Sequence, residues 1–122
     1  MNIESTDSTA FLTIITEHQS RRDKAEKLAE MLLTQLGGIC TLQRIERYTK
    51  FDNSYKIVFE LIFDNNLNRI LQSIALTDSI VSPWIIYYDN QEDTVKLIFN
   101  TSDSVRYRRI EYNVITWGHL QF

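Results

Sequence analysis

The chain has 122 residues, of which 43% are hydrophobic and 24% charged, and its net charge is −3. That length fits a single domain over 1–122, and that hydrophobic share excludes a disordered chain. The acidic balance argues against a protein whose main task is to neutralise phosphates.

Residues 1–9 are polar and read as a loose tail. Ala10–Glu17 is predicted as the first strand. Phe11, Leu12, Ile14 and Ile15 make both of its faces apolar, the pattern of a strand inside a sheet. A helix is predicted from Ser20 to Leu36. Ser20 and Asp23 resemble a capping box, and Ala25, Leu28, Ala29, Leu32, Leu33 and Leu36 make an apolar stripe at helical spacing. Gly37-Gly38 ends it, because glycine takes a left-handed C-cap at little cost.

Ile39–Phe51 is predicted as an exposed edge strand, with Arg44, Glu46 and Arg47 discouraging edge-to-edge pairing. Leu42 and Ile45 are three apart and cannot share a face of a regular strand, so a β-bulge is expected near Gln43-Arg44. Asp52-Asn53-Ser54 turns the chain into Tyr55–Phe63, the clearest strand. Its odd positions (Tyr55, Ile57, Phe59, Leu61, Phe63) are all apolar and its even positions are mixed, so one face is buried.

Asp64-Asn65-Asn66 reads as a second helix start, with Leu67, Ile70, Leu71 and Ile74 as the stripe expected to pack on the sheet. The rest reads as β: a strand Trp84–Asp89, a hairpin loop 90–93, and a return strand Thr94–Asn100. A last strand is expected from Val105 to about Thr116, with room for a bend near Asn113, followed by a tail whose Leu120 and Phe122 pack on the core. The order β-α-β-β-α-β-β-β matches an α+β, ferredoxin-like β-α-β-β-α-β core with two extra C-terminal strands. Both helices would cover one face of a mainly antiparallel sheet.

Signals for catalysis are weak. His18, His119 and Cys40 lack metal-ligand spacing, and Cys40 reads as a small buried side chain. Gly37-Gly38 follows a helix, whereas phosphate-cradling loops precede one. Neither catalytic residues nor a cofactor or metal is expected. Arg106-Tyr107-Arg108-Arg109 could suit single-stranded nucleic acid, but strand alternation splits it between two faces.

The lone cysteine excludes an internal disulfide and fits a cytoplasmic setting. Met1–Ser8 has no signal-peptide pattern, and no stretch nears the ~18 apolar residues of a membrane span. Acids at Asp89, Glu92, Asp93, Asp103 and Glu111 alternate with Tyr87, Tyr88, Tyr107, Tyr112 and Trp117. Such a surface suits docking to a basic protein, with aromatics as anchors and acids for steering.

In its small acidic character, its lack of a catalytic set and its aromatic-rich C-terminal half (Trp84-Ile-Ile-Tyr-Tyr-Asp, then Asn113 to Phe122), the chain resembles small immunity proteins. These belong to bacterial contact-dependent growth inhibition and related polymorphic toxin systems. The resemblance implies a non-enzymatic protein that binds and occludes one cognate toxin domain, often a nuclease. The expected partner-binding residues are Tyr87, Tyr88, Asp89, Glu92, Asp93, Asp103, Tyr107 and Glu111. A homodimer through the free sheet face stays open, and single-stranded nucleic acid is the alternative ligand.

Overall fold

A computed structural model describes residues 7–64, 67–92, 94–102 and 104–122. The expected tail residues 1–6, the helix-start residues Asn65 and Asn66, and the candidate acids Asp93 and Asp103 lie outside the described residues.

The fold is α+β, with two helices and a six-stranded antiparallel sheet. The strands are β1 (Asp7–Thr16), β2 (Cys40–Arg47), β3 (Tyr55–Asp64), β5 (Ile85–Asp89), β6 (Thr94–Asn100) and β8 (Ile115–Gln121), in the order β2-β3-β1-β8-β6-β5. A separate two-residue ladder joins β4 (Val81–Ser82) to β7 (Arg106–Tyr107). The ferredoxin-like plan places the strand that follows the second helix beside β1. Here β8, the last strand, holds that place, and β5 lies at the far edge.

The alternation of β3 explains the core. Tyr55, Ile57, Phe59, Leu61 and Phe63 are all buried. The register sets Phe59 against Leu12 and Ile57 against Ile14 on β1, so both strands send these side chains to the same face. On β8 and β6 the same face carries Leu120, Leu97 and Phe99. Leu28 and Leu32 of α1 (Arg22–Leu36) and Leu76 of α2 (Arg69–Asp78) join that cluster, so both helices contribute to a core on one side of the sheet. The expected bulge is present, with the β2–β3 register shifting between Leu42 and Arg44.

Three local expectations are corrected. The Ser20–Asp23 box does not form. Arg21 stands at the N-cap without a side-chain cap, and Arg22 ties the first turn to β2 by donating 2.9 Å to the Ile45 carbonyl. Gly37 ends the helix at a positive φ of 76°, as glycine allows, but its ψ of −158° lies outside the left-handed helical well; its amide donates to the Leu33 carbonyl.

The second correction concerns the phase of α2. Of the expected stripe only Ile70 packs against the core; Leu67 precedes the helix, and it, Leu71 and Ile74 face outward, while Ser73, Leu76 and Thr77 are buried. The two hydroxyls can be buried because each is already satisfied one turn back, Ser73 donating 2.7 Å to the Arg69 carbonyl and Thr77 2.8 Å to the Ser73 carbonyl.

The third is the segment after Val105. In place of a strand to Thr116 there is the short β7, a 3-10 turn over Ile110–Val114, and then β8. Tyr112 drives this. Its ring is fully buried and its hydroxyl donates to the Gln35 side chain of α1, which bends the chain inward before it can run as a strand.

Candidate functional site

The β5–β6 hairpin is the most exposed part of the sheet. All five β5 residues are exposed, including Ile85, Ile86, Tyr87 and Tyr88. Its pairing with β6 sets Ile86 opposite Leu97 and Tyr88 opposite Val95, both core positions, so Ile86 and Tyr88 lie on the helix-bearing side. Ile85, Tyr87 and Asp89 lie on the helix-free side.

Trp84 fixes where the hairpin begins. Its indole Nε1 donates 2.7 Å to the Val81 carbonyl, and its ring packs on Phe99 at 5.7 Å between centroids. Asp89 shapes the other end. Its carboxylate accepts from the Gln91 amide at 2.9 Å and the Glu92 amide at 3.3 Å, an Asx-type turn that leaves Glu92 exposed at the tip.

The expected partner-binding residues therefore divide. Tyr87, Tyr88, Asp89 and Glu92 all lie on this hairpin, but Tyr88 points to the opposite side of the sheet from Tyr87 and Asp89. Tyr107 belongs to β7, where its hydroxyl donates 2.7 Å to the Ile115 carbonyl and its ring packs edge-on against Phe99. Burial pushes its phenol up from the usual value. Glu111 lies on the 3-10 turn and pairs with Arg109 at 3.5 Å. In the basic run 106–109, Arg108 is engaged by Asp78 at 2.9 Å, and the Arg109 guanidinium lies 6.0 Å from the centre of the Tyr112 ring.

The helix-free face of the sheet holds what the sequence reading missed. A cleft of about 670 Å³ opens there, with Thr13, Ile15, Tyr48, Lys56, Trp117 and His119 among its lining residues. That volume is in the range of small-ligand sites. Ile15 is opposite Lys56 on β3 and Trp117 on β8, so one row of the sheet builds its floor. Trp117 and His119 stack, their ring centres 5.6 Å apart and their planes 16° apart. Burial, and then the nearby Lys96 charge, lowers the His119 pKa below its ordinary value. Lys56 is held 3.7 Å from Glu46. Phe11 and Ile62 are exposed on the same face.

The row β3–β1–β8 could be found only by knowing that β8 pairs with β1, since Lys56, Ile15 and Trp117 share no local pattern. Burial pushes the Cys40 thiol up to about 11, so it is a poor nucleophile at neutral pH. Among the described residues, no group of three or more His, Cys, Asp or Glu is placed to hold a metal ion, and no helix is long and apolar enough to cross a membrane. The chain matches no family model, no curated protein and no solved structure, so its own side chains carry the functional reading.

Proposed function

We propose that this chain is a non-enzymatic protein-binding module. More narrowly, it is a cytoplasmic immunity protein that neutralises a cognate bacterial toxin, a nuclease domain, by direct binding and occlusion of the active site. One observation carries the reading. The helix-free face of the sheet leaves Phe11, Ile62, Ile85 and Tyr87 exposed, and the hairpin that borders it ends in exposed Asp89 and Glu92. Apolar and aromatic side chains supply anchor area at an interface, while acids at its rim steer a basic partner. The finer account of the fold belongs to the same proposal. The half β2-β3-β1-β8 with its two helices is a ferredoxin-like core whose closing strand is deferred to the C-terminus by the inserted hairpin.

The test is co-expression with the C-terminal domain of the protein encoded immediately upstream. Toxicity of that domain alone, rescue by this chain and co-purification of the two support the reading. A harmless neighbour with no complex counts against it.

A second reading has its own support. Aromatic Trp117 and Tyr48 share the cleft with Lys50 and Lys56, the composition of a stacking platform for single-stranded nucleic acid. Titration with labelled single-stranded RNA at two salt concentrations separates the readings, and absence of binding at low salt removes this one.

A further inference from the structure

The two edges of the sheet are built differently. β2, at one edge, carries a bulge and exposes Gln43, Arg44, Glu46 and Arg47. Both features blunt an edge against pairing. β5, at the other edge, reads Ile-Ile-Tyr-Tyr-Asp, with a regular register to β6 and no charge before Asp89. An uncharged, regular, fully exposed edge strand is a template for another strand.

The outward phase of α2 belongs to the same surface. Leu67 lines one depression with Tyr88, and Ile74 lines another with Ile86. Leu71 lies one turn from each and is the most exposed of the three. The apolar stripe of α2 therefore runs alongside the open edge of β5, on the side to which Ile86 and Tyr88 point. These side chains of α2 and β5 are each between 36% and 65% exposed. Leu67, Leu71, Ile74, Ile86 and Tyr88 present about 500 Å² on the helix-bearing side, and Ile85 and Tyr87 on the other side of the same edge bring the total to about 700 Å², close to the ~800 Å² that each partner gives to a standard interface.

We infer that the occupant is a second copy of this chain, paired antiparallel along β5 about a two-fold axis at Tyr87. In that register Ile85 faces Asp89 of the second copy at each end of the joint, and the three central positions are apolar or aromatic throughout. Ile86 meets Tyr88 of the second copy on the helix-bearing side, where the two α2 stripes extend the apolar contact. Tyr87 meets itself on the helix-free side. The two-fold also sends the acidic hairpin ends, Asp89 and Glu92, to opposite ends of the joint. Each arrives near the start of the other β5, where the preceding Ser82 is paired with exposed Arg106. Like charges are thereby kept apart. The helix-free faces of the two copies then form one continuous surface. This inference does not depend on the identity of any toxin.

Sedimentation equilibrium of the purified chain from about 1 to about 500 μM tests it, a range that brackets micromolar dissociation constants. A reversible dimer is expected, with amide exchange slowed at Ile85–Asp89 as concentration rises. Ile86→Lys should weaken it by about 100-fold or more. Leu42→Lys, on the β2 edge, should leave it intact. Unchanged circular dichroism establishes that each variant is folded. If Ile86→Lys does not fold, Leu71→Lys and the amide exchange of the unaltered chain decide the matter. A monomer throughout the range, a dimer indifferent to these β5 and α2 changes, or a dimer lost with Leu42→Lys overturns the inference.

Discussion

Trp84 lies directly over Gly118: a Cβ built on Gly118 would fall 2.4 Å from the edge of the Trp84 ring. Gly118 faces Ile14 on β1 and Phe99 on β6, so it sits mid-sheet on the core side. The missing side chain is what lets the indole lie flat there and hold the start of β5 against the body of the protein.

Gly118→Ala should therefore force the ring aside and cost about 1–3 kcal/mol, the usual range for overpacking. Thermal denaturation reads the cost. Coupling with Trp84→Leu makes the claim specific, because the double variant should lose less than the sum of the two single ones. Additive losses would mean that the two residues do not meet.

Gln35 joins three segments, accepting from the Tyr112 hydroxyl and donating to the Ser79 carbonyl at 2.8 Å and the Ser79 hydroxyl at 3.0 Å. Tyr112→Phe should cost about 1 kcal/mol, the net worth of one hydrogen bond plus a share of the unpaired amide oxygen. Urea denaturation measures it, and a loss near zero would remove the bond from the account.

The phase of α2 can be checked by a pair of truncations. Leu76→Ala, inside the core, should cost about 2–5 kcal/mol. Leu71→Ala, on the exposed face, should stay within about 0.5 kcal/mol. Both are measured at low protein concentration, where self-association adds nothing. A large loss at Leu71 would restore the phase expected from the sequence.

The pH dependence rests on His119. Its pKa in the folded protein is lowered from 6.5 by burial and by Lys96. The unfolded chain therefore binds the proton more readily. Stability is fully present above about 6.5 and falls as pH drops from there toward the lowered folded value. His119→Gln should flatten that part of the stability–pH curve. An NMR titration of the imidazole that gave a midpoint above 6.5 would reverse the sign.

Cys40, with its thiol pushed up to about 11, should react slowly with an aromatic disulfide reagent at pH 8 in the folded protein and rapidly in denaturant. Equal rates would show that the thiol is neither buried nor perturbed.

How much of this was legible in the sequence depends on how local the cause is. The β2 bulge followed from the three-residue spacing of Leu42 and Ile45. The β3 core face followed from simple alternation, and the end of α1 from Gly37. The α2 phase was legible only at Ile70, which packs on the core, because Leu67, Ile70, Leu71 and Ile74 make a good stripe while Ser73 and Thr77 look polar. Their hydroxyls are satisfied within the helix, so the face that reads as polar packs inward. The 3-10 turn at 110–114 was hidden because its cause, Gln35, lies 77 residues from Tyr112. The hairpin residues Tyr87, Tyr88, Asp89 and Glu92 could be grouped from sequence because they are contiguous. The cleft could not, since its walls come from four strands and three loops.

The central claim is that the helix-free face and its bordering hairpin bind and silence a toxic protein partner. Growth rescue in the co-expression assay, comparing the unaltered chain with a Phe11→Lys/Ile62→Lys variant and a Glu92→Lys variant, tests it most directly. The account predicts rescue by the unaltered chain, loss of rescue and of co-purification with Phe11→Lys/Ile62→Lys, and slower association with Glu92→Lys, all in folded protein. Full rescue by both variants would contradict the claim and move the interface elsewhere.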